Sequence, residues 1–490
     1  MPMRRLLLPL LLLAGCAPAA RTAPAPAPSR LAVALDSVFA DTAFRRATWG
    51  VLVRSPRTGA TLYRRNAERM LVPASNMKVV TGAAALEALG PNWRFRTTVA
   101  AGGPVEGGTL RGDLVVRGSG DPTVGARFGG GDARAVFRAW ADSLRARGIT
   151  RVAGRVVGND DALDDVPLGR GWAWDDLDAG YSAEVGALQL NEGVVGVRVT
   201  PGPRAGDTAR VALSPPTAYV PVDVRVVTTP AGTPPNVQAA RAPAGPGIVV
   251  SGVVPLDTTA VSEEVAVRDN TLYFATVLRE TLRERGIEVE GPAVDADSLP
   301  MAERGVGAVP IFVHASPPMR EVLPAFMKPS QNQYGELLLK TLGRELRGEG
   351  SARAGSAAVD SLVRTWGLDP GALAQADGSG LSRYNLVAPE LLAGILEHML
   401  RSPYGAVWRE SLPLAGADGT LAGRLRGTPL EGRVQAKTGT LTGVRALSGY
   451  VPGPDGEPLV FSILLNHHTR SAREADRVID AALLRISRAR

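Results

Sequence analysis

Residues 72–89 read VPASNMKVVTGAAALEAL, and this stretch indicates a buried helix with chemistry at its start. The side chains over Asn76–Leu89 are mostly apolar and Gly90-Pro91 ends the run, so we predict a helix there. Ser75 and Lys78 are three positions apart at the beginning of that helix. Side chains at this spacing share a helix face, so Oγ of Ser75 and Nζ of Lys78 can meet.

Ser75 and Lys78 are residue types that can act together as a nucleophile and its base. A serine hydroxyl is a weak nucleophile until a base removes its proton, and a desolvated lysine can be that base. The start of a helix also adds positive potential where an oxyanion would form. Taken alone, the same pattern fits an ordinary helix cap at Ser75 and a solvated Lys78, because an S-x-x-K can arise by chance.

Lysine is rare in this chain, which makes the position of each lysine informative. Four of the 55 lysine and arginine residues are lysines, at positions 78, 328, 340 and 437. Arginine stays charged at any working pH, whereas a lysine can be tuned to give up its proton. The composition therefore suggests that the remaining lysines stand at positions where arginine could not do the same job. The alternative is that some of these lysines persist by chance.

Two further patterns contain or adjoin these lysines. Ser330-Gln331-Asn332 follows Lys328 and precedes a helix predicted over Tyr334–Leu346. Lys437-Thr438-Gly439-Thr440 lies in the strand-like segment Val434–Leu441. There the lysine offers a compact cation, the threonines offer hydroxyl donors for a carboxylate, and the glycine leaves room for a ligand at a strand edge. Each pattern alone is also typical of a helix cap or of a surface strand.

Other function classes have less support in the composition and motifs. The four histidines form no HExxH pattern, the single cysteine excludes an intramolecular disulfide, and no P-loop or GxSxG motif is present. A net charge of +7 is mild for 490 residues and no Lys/Arg-rich run occurs, so a nucleic acid partner is not expected. We expect neither a metal ion nor an organic cofactor in the site.

The N-terminus resembles a bacterial lipoprotein signal. Two arginines precede the apolar run Leu6–Leu13, which is too short to span a bilayer, and Cys16 follows three residues later. We predict a lipoprotein signal peptide over residues 1–15, lipidation of Cys16, and an extended Ala/Pro-rich tether over 16–30. The alternative is a secretory signal with an incidental cysteine. The lipoprotein prediction implies an extracytoplasmic, periplasmic protein anchored to a bacterial membrane by its lipid.

The remaining sequence predicts an α/β domain that is split by an insertion. The runs Arg445–Val451 and Leu459–Leu465 read as a hairpin, and strand-like runs lie near both ends of the chain, which indicates an antiparallel sheet flanked by helices. Residues 93–265 carry short strand-like runs between Gly/Pro turns and one helix, Ala133–Arg147. We predict that they form one or two inserted, mostly β domains. The main domain then comprises residues 31–92 and 266–490.

The order S-x-x-K, S-x-N, K-T-G resembles the serine penicillin-recognising enzymes. Further segments resemble one branch of them, the low-molecular-mass class C penicillin-binding proteins, which are D-alanyl-D-alanine carboxypeptidase/endopeptidases. The long interval between the first two motifs also resembles this branch, which carries extra domains there. The matching segments span nearly the whole chain: Pro73–Lys78, Gly118–Pro122, Met327–Asn332, Asp377–Asn385, Leu412–Gly416, Asp418–Leu421, Ala436–Leu441 and Leu447–Tyr450.

The resemblance implies a serine β-lactamase/transpeptidase-like domain and a role for each motif. By that resemblance Ser75 is the acylated nucleophile, Lys78 is its general base, and Ser330 relays a proton to the leaving amine. The substrate would be bound by Asn332, Lys437, Thr438, Gly439 and Thr440.

By the same resemblance, the backbone N–H groups of Ser75 and Thr440 would form an oxyanion hole. The matching segment Asp377–Asn385 is open to two interpretations, contact with the substrate or a Gly-rich turn that only shapes the site. Its composition favours the turn.

The implied function is hydrolysis of D-Ala-D-Ala termini, or of D-Ala–diaminopimelate cross-links, in peptidoglycan stem peptides. β-Lactam antibiotics would be inhibitors that acylate Ser75. One alternative is a β-lactamase or esterase that uses the same three motifs. Another is a non-catalytic, tethered cell-wall-binding scaffold, although a scaffold could lose Ser75 or Lys437 and both are present.

Overall fold

The computed structural model describes residues 29–488. The predicted signal peptide, Cys16 and nearly all of the predicted tether lie outside the described residues. Within residues 29–488, no helix has both the length and the apolar character needed to cross a membrane. The α-helices are Arg30–Phe39 (α1), Met77–Leu89 (α2), Ala135–Ala146 (α3), Asn270–Glu284 (α4), Met319–Met327 (α5), Asn332–Arg347 (α6), Ala352–Thr365 (α7), Pro389–Arg401 (α8), Gly405–Ser411 (α9) and Ala472–Ile486 (α10).

The strands fall into several sheets. In chain order they are Thr48–Arg54 (β1), Thr61–Arg65 (β2), Arg96–Ala101 (β3), Val105–Glu106 (β4), Thr109–Leu110 (β5), Leu114–Arg117 (β6), Arg151–Val152 (β7), Val156–Asn159 (β8), Val194–Thr200 (β9), Arg210–Ser214 (β10), Val222–Thr229 (β11), Asn236–Arg241 (β12), Ile248–Pro255 (β13), Val261–Ala266 (β14), Glu288–Val289 (β15), Ala293–Asp295 (β16), Val309–Ala315 (β17), Leu373–Ala374 (β18), Leu386–Val387 (β19), Gln435–Leu441 (β20), Val444–Pro452 (β21) and Pro458–Asn466 (β22).

The main sheet joins strands from both ends of the chain. Its order is β2-β1-β22-β21-β20, and all neighbours are antiparallel, with Val51 opposite Ile463 and Lys437 opposite Ser448. Successive side chains point to opposite faces of a strand. On β22, Leu464 packs toward the core that contains α2 and α8, and Ile463 packs toward α1 and α10. The predicted antiparallel sheet with helices on both faces, including the hairpin β21–β22, is confirmed.

Helix α2 lies in the centre of the main domain. Every side chain from Met77 to Leu86 is buried, and the helix packs against α5, α6, α7 and α8. A helix that is apolar on all sides is typically enclosed in this way. Gly90 follows the helix with a φ of 83°, a conformation that favours glycine, which confirms the predicted end. A single 3-10 turn, Ala74–Asn76, precedes the helix and carries Ser75.

A second body of strands occupies the interval between α2 and α5. Its sheets have the orders β16-β8-β6-β3-β17, β15-β7-β5-β4, β10-β9-β14 and β11-β13-β12. Helix α4 belongs to this body, because Phe274 contacts Phe137 and Trp140 of α3 within the same core. Strand β17 pairs with β3 and is the last strand of this body, which therefore extends to Ala315. We therefore propose that the insertion extends to about Ala315, whereas the sequence analysis placed its end at 265.

Candidate active site

The three sequence motifs meet at one end of α2. Ser75 lies on the turn before α2, Ser330 lies between α5 and α6, and Lys437 lies on β20, the outer strand of the main sheet. Lys78 Nζ is 3.0 Å from Ser75 Oγ, and Lys437 Nζ is 2.9 Å from Ser330 Oγ. Asn332 Oδ1 accepts a hydrogen bond of 2.6 Å from Lys78 Nζ. The structure thus brings together residues as far apart in sequence as Ser75 and Lys437.

Both serines are presented by backbone in an uncommon conformation. Ala74, immediately before Ser75, has a φ of 48°, and Ser330 itself has a φ of 67°. A non-glycine residue in this region costs on the order of 1–3 kcal/mol and persists only when its surroundings hold it. Here Asn76 Nδ2 donates to the Lys437 carbonyl at 3.0 Å, which ties the nucleophile turn to β20.

Lys78 has the environment of a base. Its side chain is fully buried, and its amino group has three acceptors: Ser75 Oγ, Asn332 Oδ1 and, at 2.7 Å, the Ser379 carbonyl. Burial lowers the pKa of Lys78 to about 7, while the negative charges of Asp377 and Glu336 oppose this lowering. A large share of the amine is therefore neutral near pH 7 and can accept a proton from Ser75.

Lys437 is a second buried lysine of the site. It donates to Ser330 Oγ and, at 3.0 Å, to the Thr438 carbonyl. Burial lowers its pKa well below the ordinary lysine value, and the nearby charges of Lys78 and Arg445 lower it further. Arg445 hydrogen-bonds to the exposed Thr440, so this edge of the site collects basic groups beside a hydroxyl.

The remaining two lysines lie outside this cluster. Lys328 forms an ion pair with Asp418. Lys340 is buried, with Nζ at 2.6 Å from the Asp164 carboxylate and 2.8 Å from the Val166 carbonyl, and so connects α6 to the insertion. Both have structural partners that explain their positions.

The structure gives Gly439 a different purpose from the predicted one. A Cβ at this position would lie 2.6 Å from the Pro73 carbonyl oxygen and 3.0 Å from Asn76 Nδ2. The missing side chain therefore makes room for the nucleophile turn, rather than for a ligand. Thr438 is also buried, and its hydroxyl bonds to Thr420 at 2.7 Å.

A cavity of about 520 Å³ opens in front of Ser75. Ser75, Ser330, Asn332 and Thr440 line it, whereas Lys437, Thr438 and Gly439 stand behind this lining. The insertion supplies one wall, which the sequence analysis did not predict. That wall consists of Gly171, Ala173, Asp175, Asp176 and Tyr181.

Asn332 of the middle motif and the next residue, Gln333, hydrogen-bond to the backbone of the insertion. Asn332 Nδ2 donates to the Tyr181 carbonyl at 2.8 Å, and Gln333 Nε2 donates to the Glu184 carbonyl at 3.0 Å. Both polar ends of the Asn332 amide are therefore engaged within the protein, one with Lys78 and one with the insertion.

The segment Asp377–Asn385 takes a larger part in the site than the sequence analysis expected. The buried Asp377 carboxylate accepts hydrogen bonds from the backbone N–H groups of residues 380 and 382, from the Asn385 side chain and from Trp172 Nε1 of the insertion. Gly380, Leu381 and Arg383 line the cavity. The segment therefore forms part of the cavity wall, and its expected lack of contact with substrate stays a prediction.

One group of carboxylates within residues 29–488 has the spacing of a metal site. Oxygen atoms of Asp160, Asp295 and Asp297 lie within 4.8 Å of one another. The group belongs to the insertion, and none of its members lines the cavity of Ser75.

Known proteins are similar to this chain in sequence and in fold. The family described as the D-Ala-D-Ala carboxypeptidase 3 (S13) family matches residues 31–486. A D-alanyl-D-alanine carboxypeptidase from an Actinomadura species is 37% identical, over 98% of this chain and 88% of that protein. The D-alanyl-D-alanine carboxypeptidase DacB of Haemophilus influenzae is 27% identical, over 84% of this chain and 83% of that protein.

A solved structure agrees with the sequence relatives. The crystal structure of penicillin binding protein 4 (dacB) from Haemophilus influenzae has a TM-score of 0.78 to this chain at 25% identity, and the match covers 92% of this chain and 98% of that one. The predicted family, the transpeptidase-like fold and the assignment as a serine-type D-Ala-D-Ala carboxypeptidase are thus confirmed. The chain belongs to the D-Ala-D-Ala carboxypeptidase 3 (S13) family.

Proposed function

We propose that this protein hydrolyses the terminal D-Ala-D-Ala bond of peptidoglycan stem peptides through an acyl-enzyme on Ser75. The observation that carries the proposal is the contact of 3.0 Å between Ser75 Oγ and the buried amine of Lys78. The half-buried Ser75 faces a cavity that can admit a peptide, and Lys78 behind it has a pKa near neutrality.

Acylation begins when the neutral amine of Lys78 takes the proton of Ser75. Oγ attacks the carbonyl carbon of the penultimate D-Ala, and backbone N–H groups of Ser75 and Thr440 stabilise the oxyanion that forms. The C–N bond then breaks, the leaving D-Ala amine takes the hydroxyl proton of Ser330, and the proton held by Lys78 replaces it on Ser330. The contact of 2.9 Å between Lys437 Nζ and Ser330 Oγ supports this relay.

Water completes the reaction by attacking the ester carbonyl. Lys78 is neutral again once its proton has passed to the leaving amine, so it is placed to activate that water. The acid product and free Ser75 are then released.

The terminal carboxylate of the substrate binds at the β20 edge. Thr440 is exposed there, its hydroxyl is hydrogen-bonded to the Arg445 guanidinium, and the amine of Lys437 lies behind it. We assign Asn332 mainly to holding Lys78, since substrate contact would require its bond to the Tyr181 carbonyl to be replaced.

Charged residues that line the cavity support the assignment of a charged stem peptide as substrate. Asp175 and Asp176 come from the insertion, and Arg383 comes from the segment that follows Asp377. Groups of both signs are complementary to a side chain that carries an amine and a carboxylate, as diaminopimelate does. This supports cleavage of D-Ala–diaminopimelate cross-links as a second activity of the same site.

β-Lactams are expected to acylate Ser75 because they mimic the terminal dipeptide. The structural relative from Haemophilus influenzae carries the name of a penicillin-binding protein, which supports this expectation. The N-terminal sequence supports an extracytoplasmic location with a lipid on Cys16.

Release of D-alanine from a stem pentapeptide tests the function. The wild-type protein should release one D-alanine per peptide, and Ser75→Ala should release none. Turnover of benzylpenicillin, measured in parallel, should be much slower than peptide hydrolysis. Rapid penicillin hydrolysis without D-alanine release would favour the β-lactamase alternative, and peptide binding without either product would favour the scaffold.

A further inference from the structure

Glu336 is a buried acid beneath the site that no step above uses. It lies on α6 with 4% of its surface exposed. One carboxylate oxygen accepts the backbone N–H of Gly378 and the other accepts that of Ser379, both at 2.9 Å. A carboxylate that receives two backbone donors in this way fixes the backbone to which they belong.

The two glycines at this contact show how closely the turn lies against α6. A Cβ on Gly335 would be 2.9 Å from the Gly378 carbonyl, and a Cβ on Gly378 would be 2.0 Å from the Gly335 carbonyl. Only residues without side chains allow this approach, which brings the turn within reach of the Glu336 carboxylate. The Thr81 hydroxyl secures the same turn from α2, with a hydrogen bond of 2.8 Å to the Gly378 carbonyl.

The opposite side of the turn holds Lys78. The Ser379 carbonyl accepts the bond of 2.7 Å from Lys78 Nζ, and this carbonyl is one of the three acceptors that fix the amine. We propose that Glu336 is a positioning residue for Lys78, which holds the Ser379 carbonyl in place and sets the local negative charge. This inference rests on the proposed role of Lys78 as the base.

Several charged groups face Lys78, and they determine the sign of the expected effect. Glu336 on α6 and Asp377 on the turn are negative, and Lys437 on β20 is basic. Burial, with the charge of Asp377, raises the pKa of Glu336 to about 7. Near pH 7 and above, where Glu336 is at least partly ionised, its charge raises the pKa of Lys78, so removing that charge lowers the pKa of Lys78. The neutral amine would then persist to lower pH.

The test uses two variants that separate charge from reach. Glu336→Gln keeps the length but removes the charge, and its NH₂ group would face a backbone donor. Glu336→Asp keeps the charge but is too short to reach both N–H groups. The exposed Glu345 on the same helix provides the matched control, Glu345→Gln. The rate of acylation by a fluorescent penicillin is measured from pH 5 to 9, with thermal unfolding recorded for each protein.

We expect the maximal acylation rate to fall by about 10-fold or more in both Glu336 variants, because displacement of a catalytic group by a fraction of an ångström has effects of this order. The midpoint of the acid limb should move to lower pH in Glu336→Gln, because the part of Glu336 that is ionised near this midpoint raises the pKa of Lys78 in the wild type. It should stay near the wild-type value in Glu336→Asp. Glu345→Gln should match the wild type in both quantities.

Three results would overturn the inference. A wild-type rate and midpoint in folded Glu336→Gln would exclude any effect on Lys78. A lower rate with an unchanged midpoint in that variant would leave only a general structural role. If Glu336→Gln does not fold, an unchanged maximal rate in Glu336→Asp would show that Glu336 does not position Lys78. A wild-type protein that forms no adduct on Ser75 would instead refute the proposed function itself.

Discussion

Substitution of Gly439 by alanine tests how closely the nucleophile turn is coupled to β20. The new Cβ would lie 2.6 Å from the Pro73 carbonyl oxygen and 3.1 Å from the Ala446 Cβ. A comfortable carbon–oxygen contact is about 3.3 Å or more, so the turn and the strand must separate by about 0.7 Å. Ser75 lies two residues after Pro73, and it would move with the turn.

Two quantities should change in Gly439→Ala. Overpacking of a buried contact typically lowers the free energy of unfolding by about 1–3 kcal/mol. Because a displacement of 1 Å can cost a rate factor of about 10², we expect acylation of Ser75 to slow by about 10-fold or more. Urea unfolding measures the first quantity, and stopped-flow acylation by a fluorescent penicillin measures the second.

A matched control is available in the same part of the chain. A Cβ at Gly423, an exposed position, would meet no atom within 4 Å. Gly423→Ala should therefore unfold within about 0.5 kcal/mol of the wild type and should acylate at the wild-type rate. If Gly439→Ala also acylates at the wild-type rate, the close contact does not position Ser75 and the reasoning is refuted.

Three further predictions concern the base and the wall of the insertion. Lys78→Arg should reduce the acylation rate by about 10²-fold or more, since a guanidinium stays protonated, and a near-normal rate would show that Lys78 is not the base. In the wild type, the rate should fall as the pH drops below about 7, where Lys78 becomes protonated, and a flat profile from pH 5 to 8 would contradict its assigned pKa. Trp172→Phe removes the indole N–H that donates to the buried Asp377 carboxylate at 3.0 Å, so urea unfolding should show a free energy of unfolding lower by about 1–3 kcal/mol. The control Trp174→Phe, at a position 85% exposed, should have little effect. Equal stabilities of the two variants would show that the bond from Trp172 to Asp377 does not stabilise the protein.

Local sequence patterns are sufficient to predict the antiparallel main sheet and α2. The apolar run of α2 and its Gly90 end, and the hairpin of β21 and β22, are encoded within short segments. Helix α8 was not predicted, although Pro389 at its first turn and its apolar spacing were available signals. The end of the insertion could not be predicted, because the pairing of β17 with β3 joins residues more than 200 positions apart.

The motifs predicted which residues meet, but not how they are supported. Ser75, Lys78, Ser330 and Lys437 stand in recognisable patterns, so their approach could be expected from order alone. Glu336 lies in an amphipathic helix, where an acidic side chain usually faces solvent, and no local pattern distinguishes it. The wall from Gly171 to Tyr181 reaches the cavity only through tertiary contacts such as the bond from Trp172 to Asp377.

Intact mass spectrometry after incubation with a β-lactam tests the central claim most directly. The domain from Leu31 should gain the mass of one penicillin, and peptide mapping should place it on Ser75. Ser75→Ala should gain none, and Lys78→Ala should acquire the adduct far more slowly. An adduct on another residue, or equal labelling of wild type and Ser75→Ala, would contradict the assignment of Ser75 as the nucleophile.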